Sequence, residues 1–340
     1  MMISMKKLHY FLLTIWLIFT CTFTSACSKN PEPVSKTGYY FDTIVTITLY
    51  CKNADAYIDD CFDMAEKYEN LFSATKEGTD IYNLNHNNGE ALTLDSETID
   101  LITAGIQYAK DSNGAFDLSV GELSSLWQAG IKTKELPEKD AIEKALHTIS
   151  WDNIKVDGNT VRLENDAQID LGGIAKGYIA DKMKEYLLSH GVTNGLINLG
   201  GNVLAVGPKD SDSPSYNIAI QKPFSEDGEP IASVKITNQS VVTSGTYQRY
   251  FEKDGTIYHH ILDLSTGYPC ENGLDSVTII CNKSIDGDAL STTVFLMGLK
   301  DGTNYVENLS DTEAIFITDS GKIYTTSGMG KTIPYTEINE

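Results

Sequence analysis

Basic charge is scarce in this chain: 26 Lys and Arg stand against 47 Asp and Glu in 340 residues, a formal net charge of −21 at pH 7. A field of that sign repels nucleic acid and anionic lipid, which argues against both as partners. An anionic ligand would have to be held by local devices such as a single cation, a helix N-terminus or a metal ion. Cysteine is sparse as well. Six are present and none has CxxC or other metal spacing, which argues against structural zinc and dithiol redox chemistry. Cys51, Cys61, Cys270 and Cys281 lie beyond the N-terminal region. In an oxidising compartment 51–61 and 270–281 are conceivable pairs, and packing as small buried residues is the alternative. Past residue 26 no apolar run approaches the roughly 20 residues of a membrane span. Fixed-period repeats and low-complexity tracts are missing, and so are a Walker A loop and a Rossmann fingerprint. The nearest imitation, Gly330-Lys331-Thr332, has Thr325 where the first Walker glycine belongs.

The N-terminus is patterned for export. Lys6 and Lys7 precede an almost wholly apolar or small stretch from Leu8 to Phe23, followed by Thr24-Ser25-Ala26-Cys27. That layout reads as a secretory signal peptide over residues 1–26. A cysteine just after the cut is similar to the bacterial lipoprotein signal, with Cys27 as the lipid-attachment residue, although Thr24 stands where such signals usually carry Leu. An uncleaved N-terminal anchor is the alternative, and either places the rest of the chain outside the cytoplasm, on the membrane. Loss of residues 1–26 would remove two lysines and no acid, taking the net charge from −21 to −23. Residues 27–38 read as a flexible polar tether and 39–340 as one functional domain.

Periodicity gives the rest of the outline. Val45 to Leu49 alternates apolar and polar as a half-buried strand does. Ile58, Phe62, Ala65, Tyr68 and Phe72 share a helical stripe, as do Ile99, Ile102, Ile106 and Ala109 before Asn113-Gly114. Pro137 opens a further helix. Strand-like runs then dominate at 194–206, 216–222, 231–237, 257–262 and 275–281, followed by a helix over about 288–299 and a strand pair around 313–326. Helices early and strands late predict an α+β class with mixed or antiparallel sheets and packed helices, not a doubly wound sheet.

The chemistry concentrates in a few blocks. Asp170-Leu-Gly-Gly-Ile-Ala-Lys176-Gly-Tyr-Ile-Ala-Asp181 runs an apolar strand end into a glycine pair, a lysine and an amphipathic helix. Glycines permit close backbone approach, free N–H groups at a helix start favour an anion, and Lys176 adds a point charge suited to phosphate. An ordinary strand-to-helix turn is the bland alternative. Further blocks are Phe41-Asp42-Thr43, Gly114 to Gly121, Asn198-Leu-Gly-Gly-Asn202, His259-His260-Ile-Leu-Asp263 with Thr266-Gly-Tyr-Pro269, and Asp286-Gly-Asp288-Ala-Leu-Ser-Thr292. Asp288 and Thr292 are four apart and share a helix face. One carboxylate and one hydroxyl leave coordination positions open for water and phosphate, or else Asp288 caps its helix and Thr292 packs. A free imidazole titrates near neutrality, which suits His260 to proton transfer, with Asp263 able to orient it or to contact the ligand; His259, pointing the other way on a strand, is expected on the solvent side.

This ordered set resembles the ApbE family, the FAD:protein FMN transferases, over essentially the whole chain after the signal segment. The resemblance implies an α+β fold related to the tunnelling fold and a reaction that moves FMN from FAD, a substrate here, to a Ser or Thr hydroxyl of a target protein, releasing AMP with the help of Mg2+. It implies that Asp288, Thr292 and the backbone carbonyl of Gly173 hold the metal. FAD contacts map to Phe41, Thr75, Ala115, Phe116, Asp117, Asp170, Lys176, Leu262 and Ser291. Phe41 stands where the family usually has Met, and Thr75 where it usually has an aromatic. Asp286 is an extra acid beside the motif, either supporting the metal ligands or merely solvated, and His260 becomes the candidate base. Thr243 to Arg249 resembles the family's Ser-Gly segment, a turn lining the site with Arg249 near a phosphate. Implied partners are exported redox proteins carrying a Ser- or Thr-containing flavinylation motif, and the membrane through the lipid anchor. A Mg2+-dependent FAD diphosphatase, a non-catalytic FAD-binding lipoprotein and a surface lipoprotein with an interaction role are the rivals.

Overall fold

Strand β1 (Val34–Tyr40) begins inside the segment expected to be a tether. The computed structural model describes residues 32–225 and 228–338, so the signal segment and Cys27 lie outside the described residues. Residues 34–38 are ordered because β1 pairs antiparallel along its whole length with β2 (Thr43–Leu49), and because Lys36 Nζ reaches Asp59 at 2.7 Å. The two-residue turn between them puts Phe41 and Asp42 at φ 55° and 56°. Asp tolerates that region; Phe rarely enters it, and Glu69 Oε1 holds the Phe41 N–H at 2.8 Å.

Helices follow where the periodic stripes predict them. Helix α1 (Ala54–Phe72) buries Ile58, Cys61, Ala65, Tyr68 and Phe72. Thr79 caps α2 (Asp80–Asn85), and β3 (Leu92–Thr93) precedes α3 (Ser96–Asp111), capped by Asp95. Asn113 and Gly114, both left-handed, end it. Helices α4 (Gly121–Thr133) and α5 (Lys139–Leu146) come next, then β4 (Ile154–Asp157) and β5 (Thr160–Leu163), which form a small sheet in the order β3-β5-β4. The glycine pair leads into α6 (Ala175–Ser189).

The second half is mostly strand: β6 (Gly195–Leu199), β7 (Asn202–Val206), β8 (Tyr216–Gln221), β9 (Pro230–Ile236), β10 (Ser240–Gly245), β11 (Tyr250–Lys253), β12 (Thr256–His259) and β13 (Leu274–Cys281). Helix α7 (Ser284–Glu307) is followed by β14 (Glu313–Thr318), β15 (Ile323–Thr325) and β16 (Tyr335–Glu337). It starts a turn earlier than periodicity suggests, so Asp288 lies inside it and does not cap it. Non-helical Gly298 (φ 76°) marks a kink near its expected end.

Eight strands form the central sheet, ordered β1-β2-β6-β7-β10-β13-β14-β15, every pairing antiparallel. One face packs under α1, α3 and α6 through Val45, Ile47, Ile197 and Leu204, and under α7 through Val277, Ile279 and Phe316. Ile280, Ile315 and Ile317 point the other way, onto the three-stranded sheet β16-β9-β8. Burial on both faces explains why β13 and β14 read as near-continuous apolar runs. Trp127, Ile142, Phe251 and Leu262 build a separate cluster joining α4 and α5 to the β11–β12 hairpin. The architecture is therefore α+β with antiparallel sheets, and the described residues from Pro33 onward form one unit.

All four described cysteines are free thiols, so neither 51–61 nor 270–281 is a disulfide; Cys61 and Cys281 are buried. Among the described residues no helix is long and apolar enough to cross a membrane.

Candidate active site

The starts of α6 and α7 cross in near backbone contact. A Cβ on Gly177 would lie 2.3 Å from the Ser284 carbonyl oxygen, so only glycine permits this approach. Across the crossing, the Gly177 N–H donates to Asp288 Oδ2 at 2.6 Å. Asn202, at the start of β7, donates from Nδ2 to Asp288 Oδ1 at 2.9 Å and accepts the Ser284 hydroxyl at 2.6 Å. Asp288 is 4% exposed. Burial pushes its pKa up, while the Lys176 charge and the two N–H donors pull it down. A buried carboxylate beside a cation and two donors has its orientation set before any ligand arrives.

Thr292 and Ser291 stand one turn further along α7. Ser244 Oγ, from the end of β10, lies 2.8 Å from Ser291 Oγ and 3.2 Å from Thr292 Oγ1. Ser291 also donates to the Asp288 carbonyl at 3.0 Å. Thr243 to Gly245 are therefore strand, and only the residues after Gly245 turn. Among the described residues no three acidic, His or Cys side chains gather as a metal cage. One buried acid and one hydroxyl on a helix face are hard oxygen donors that suit Mg2+, which keeps several waters and shares phosphate oxygens.

Gly173 lies one turn before Gly177, and a Cβ there would meet the Phe116 ring at 2.9 Å. Phe116 packs edge-on against Tyr108, whose hydroxyl donates to Asp286 Oδ1 at 2.5 Å. Asp286 is thus tied to α3 and is not simply solvated. Asp170 Oδ1 accepts the Gly172 N–H at 2.8 Å and its Oδ2 accepts the Ser124 hydroxyl. Lys176 Nζ is 3.4 Å from the Gly172 carbonyl. Asp117 is buried, with its oxygens taken by the Ser119 N–H and hydroxyl and the Trp151 N–H, at 2.9, 2.7 and 2.8 Å. Its carboxylate therefore shapes the loop that carries Ala115 and Phe116. Leu262 is buried and bridges backbone-to-backbone with Pro269.

The two histidines depart from expectation. His259 is 5% exposed, not on the solvent side; its Nδ1 accepts the Ile261 N–H at 3.3 Å and its ring meets Phe295 edge-on. That ring contact with α7 covers the face of the strand on which His259 lies. Burial pushes its pKa down to about 4. His260 is half-buried beyond the end of β12, with Nδ1 3.3 Å from the Arg249 carbonyl. Desolvation, then the charges of Arg249, His259 and Lys176, push its pKa down to about 3. Asp263 does not orient it: its Oδ1 closes its own turn on the Ser265 N–H at 2.8 Å and hydroxyl at 2.7 Å.

Structure thus brings Phe116, Gly173, Lys176, Asp288, Ser291 and Thr292 into one linked cluster, with His260 within electrostatic reach of Lys176. Phe41 and exposed Thr75 are held on the α1 side, the Phe41 N–H by Glu69 at 2.8 Å and the Thr75 hydroxyl beside Ser73 Oγ at 3.3 Å. The stacked and edge-on rings of Tyr68, Phe72 and Tyr178 join that side to α6.

Residues 41–316 match the ApbE family profile. The chain belongs to the ApbE family. An FAD:protein FMN transferase of Klebsiella pneumoniae is 35% identical, covering 83% of this chain and 88% of its own. One of Treponema pallidum is 30% identical, over 87% of each. The crystal structure of the ApbE protein of Thermotoga maritima superposes with a TM-score of 0.81 at 32% identity, over 87% of this chain and 97% of that one.

Three residues of this ApbE-family site escape a reading of the sequence: Asn202, Ser244 and Gly177. Each sits within a quoted block, but its role is a hydrogen bond or a close approach between elements far apart in the chain. The only advance signal is a glycine inside a helix, which costs stability without a packing reason. Beside the false Walker tail, Glu313 accepts from the Thr326 hydroxyl and the Gly328 N–H.

Proposed function

We propose that the chain transfers FMN from FAD to a Ser or Thr hydroxyl of an exported target protein, forming a phosphoester and releasing AMP, with Mg2+ as cofactor. The observation that carries this reading is the buried Asp288 carboxylate, aimed by the Gly177 N–H and Asn202 and coupled to the Lys176 charge at a glycine-pair helix start. Asp288, Thr292 and the Gly173 carbonyl would hold the ion, which would neutralise charge growing on the phosphoryl oxygens.

In the transfer, the acceptor oxygen bonds to the flavin-side phosphorus. The bond from that phosphorus to the bridging oxygen breaks, and AMP leaves with the electron pair. The chain's own residues orient this exchange. Lys176 meets phosphate charge, and Phe116 and the glycine pair shape the surface against which the dinucleotide lies. His260 takes the hydroxyl proton: the Arg249 carbonyl favours a proton on Nδ1, leaving Nε2 to accept. At neutral pH the imidazole is uncharged and available. A diphosphate bound beside Lys176 and Arg249 offsets the charges that depress its pKa.

Two further parts belong to the same reading. Cys27 carries the lipid, holding the enzyme on the outer face of the cell membrane, and the acceptors are redox proteins of that compartment with a Ser- or Thr-containing motif. Mass spectrometry of such an acceptor after incubation with enzyme, FAD and Mg2+ tests the proposal. The added mass should equal FMN less one water, at a Ser or Thr. Free FMN and an unmodified acceptor would instead make the chain an FAD diphosphatase; intact FAD would make it a binder.

A further inference from the structure

Helix α7 carries Asp288, Ser291 and Thr292, yet it has no cap of its own: Lys283 supplies no side-chain acceptor to the first-turn N–H groups. Those groups are satisfied from a different helix. Asp181, on α6, accepts the Ser284 N–H with Oδ1 at 2.9 Å and the Ile285 N–H with Oδ2 at 3.0 Å. Asp181 is one turn after Gly177 and so faces α7 from the same side of α6. Gly177 in turn donates its own N–H to Asp288. Asp181 of α6 therefore satisfies two open N–H groups of α7, and Asp288 of α7 satisfies one of α6, a reciprocal cap beside the Gly177–Ser284 approach where the two backbones nearly touch.

We infer that Asp181 is a positioning residue for the reaction. By clamping the start of α7 to α6, it sets where Asp288 and Thr292 stand relative to Gly173 and Lys176, although it touches no substrate atom. Nothing local replaces it. Ser284 Oγ is already engaged with Asn202 and accepts from Ser240 Oγ at 3.0 Å, so it cannot turn back to cap its own helix without breaking that chain. Without the carboxylate, two part-buried N–H groups lose their acceptors and the first turn of α7 frays. Asp288 sits immediately after that turn. Lost precision there weakens ion binding more than it weakens contact with the flavin end of the ligand, which other elements supply.

The inference rests on the proposed metal site, and its test separates the two. Mn2+ binding is titrated by the loss of the free-ion electron paramagnetic resonance signal, with FAD present, for wild type, Asp181→Ala and Asp181→Asn. FAD binding without metal is measured in parallel by flavin fluorescence, and melting temperature by circular dichroism. Expected is Mn2+ binding weakened at least tenfold in Asp181→Ala, with metal-free FAD affinity within twofold of wild type. Asp181→Asn keeps one acceptor oxygen and should recover most of the loss. Unchanged Mn2+ affinity in Asp181→Ala overturns the inference, whatever happens to the melting temperature. So does an equal loss of metal-free FAD binding, or an Asn variant as weak as Ala. Should Asp181→Ala not fold, Asp181→Asn carries the test alone, with about threefold weaker Mn2+ binding expected and wild-type affinity contradicting it. If wild type itself binds no Mn2+ with FAD present, it is the metal-site reading that fails.

Discussion

At the residue scale the decisive group is Asp288, whose charge matters beyond its shape. Asp288→Asn preserves size and one acceptor oxygen but removes the anion that would face a divalent ion. A fall of at least about 100-fold in FMN transfer is expected, on the order of the loss from one transition-state donor, while FAD still binds in a fluorescence titration. The histidines give a second prediction with a definite sign. His259 is neutral in the folded protein down to about pH 4 and takes a proton near pH 6.5 when unfolded. Its stabilising contribution is full above pH 6.5 and is lost as pH falls toward 4, by at most about 3 kcal/mol. His260 acts in the same direction. The buried carboxylates Asp117, Asp181 and Asp288, raised by burial, act in the opposite one, gaining protons more readily when folded. Urea melts of wild type and His259→Gln at pH 7 and pH 5 isolate the first effect, because the carboxylates cancel in the comparison. The wild type should lose more stability between the two pH values than the variant.

At the scale of elements, the α6–α7 crossing is where stability and chemistry coincide. Gly177→Ala would drive a methyl into the Ser284 backbone, 2.3 Å from its oxygen and 2.5 Å from its carbonyl carbon. Backbone cannot rotate away as a side chain can, so a cost of about 1–3 kcal/mol is expected, read as a lower melting temperature. Transfer activity should fall with it, since the same shift moves the N–H that holds Asp288. Most elements were legible from the chain alone because their signals are local: the α1 stripe, the Asn113-Gly114 stop, the alternation in β2. What the sequence hid was tertiary. The early start of α7 depends on a cap lent by Asp181, the ordering of residues 34–38 on pairing with β2, and the burial of His259 on its contact with Phe295 of α7. The site was legible in its blocks, since Asp288, Thr292 and the glycine pair stand in recognisable order. The hydrogen bonds of Asn202 and Ser244, and the engagement of Asp263 in its own turn, were not.

Across the whole molecule, a strongly acidic chain places one buried acid beside a lysine and asks it to receive a polyanion. On the proposed reading, electrostatics would make FAD and the divalent ion mutually dependent. Mg2+ and FAD together should raise the melting temperature by several degrees, since ligand at 100 times its dissociation constant adds about 2.7 kcal/mol, and either alone should do markedly less. Differential scanning fluorimetry with the four combinations checks this. Equal shifts from FAD with and without Mg2+ would separate ion from nucleotide.

The most direct measurement is a crystal structure with FAD and Mn2+, using the anomalous signal to locate the ion. The expected peak lies between the Asp288 carboxylate and Thr292 Oγ1, touching the dinucleotide's phosphates, with Lys176 alongside. An ion found elsewhere, or FAD phosphates remote from the first turns of α7, would contradict the proposed chemistry.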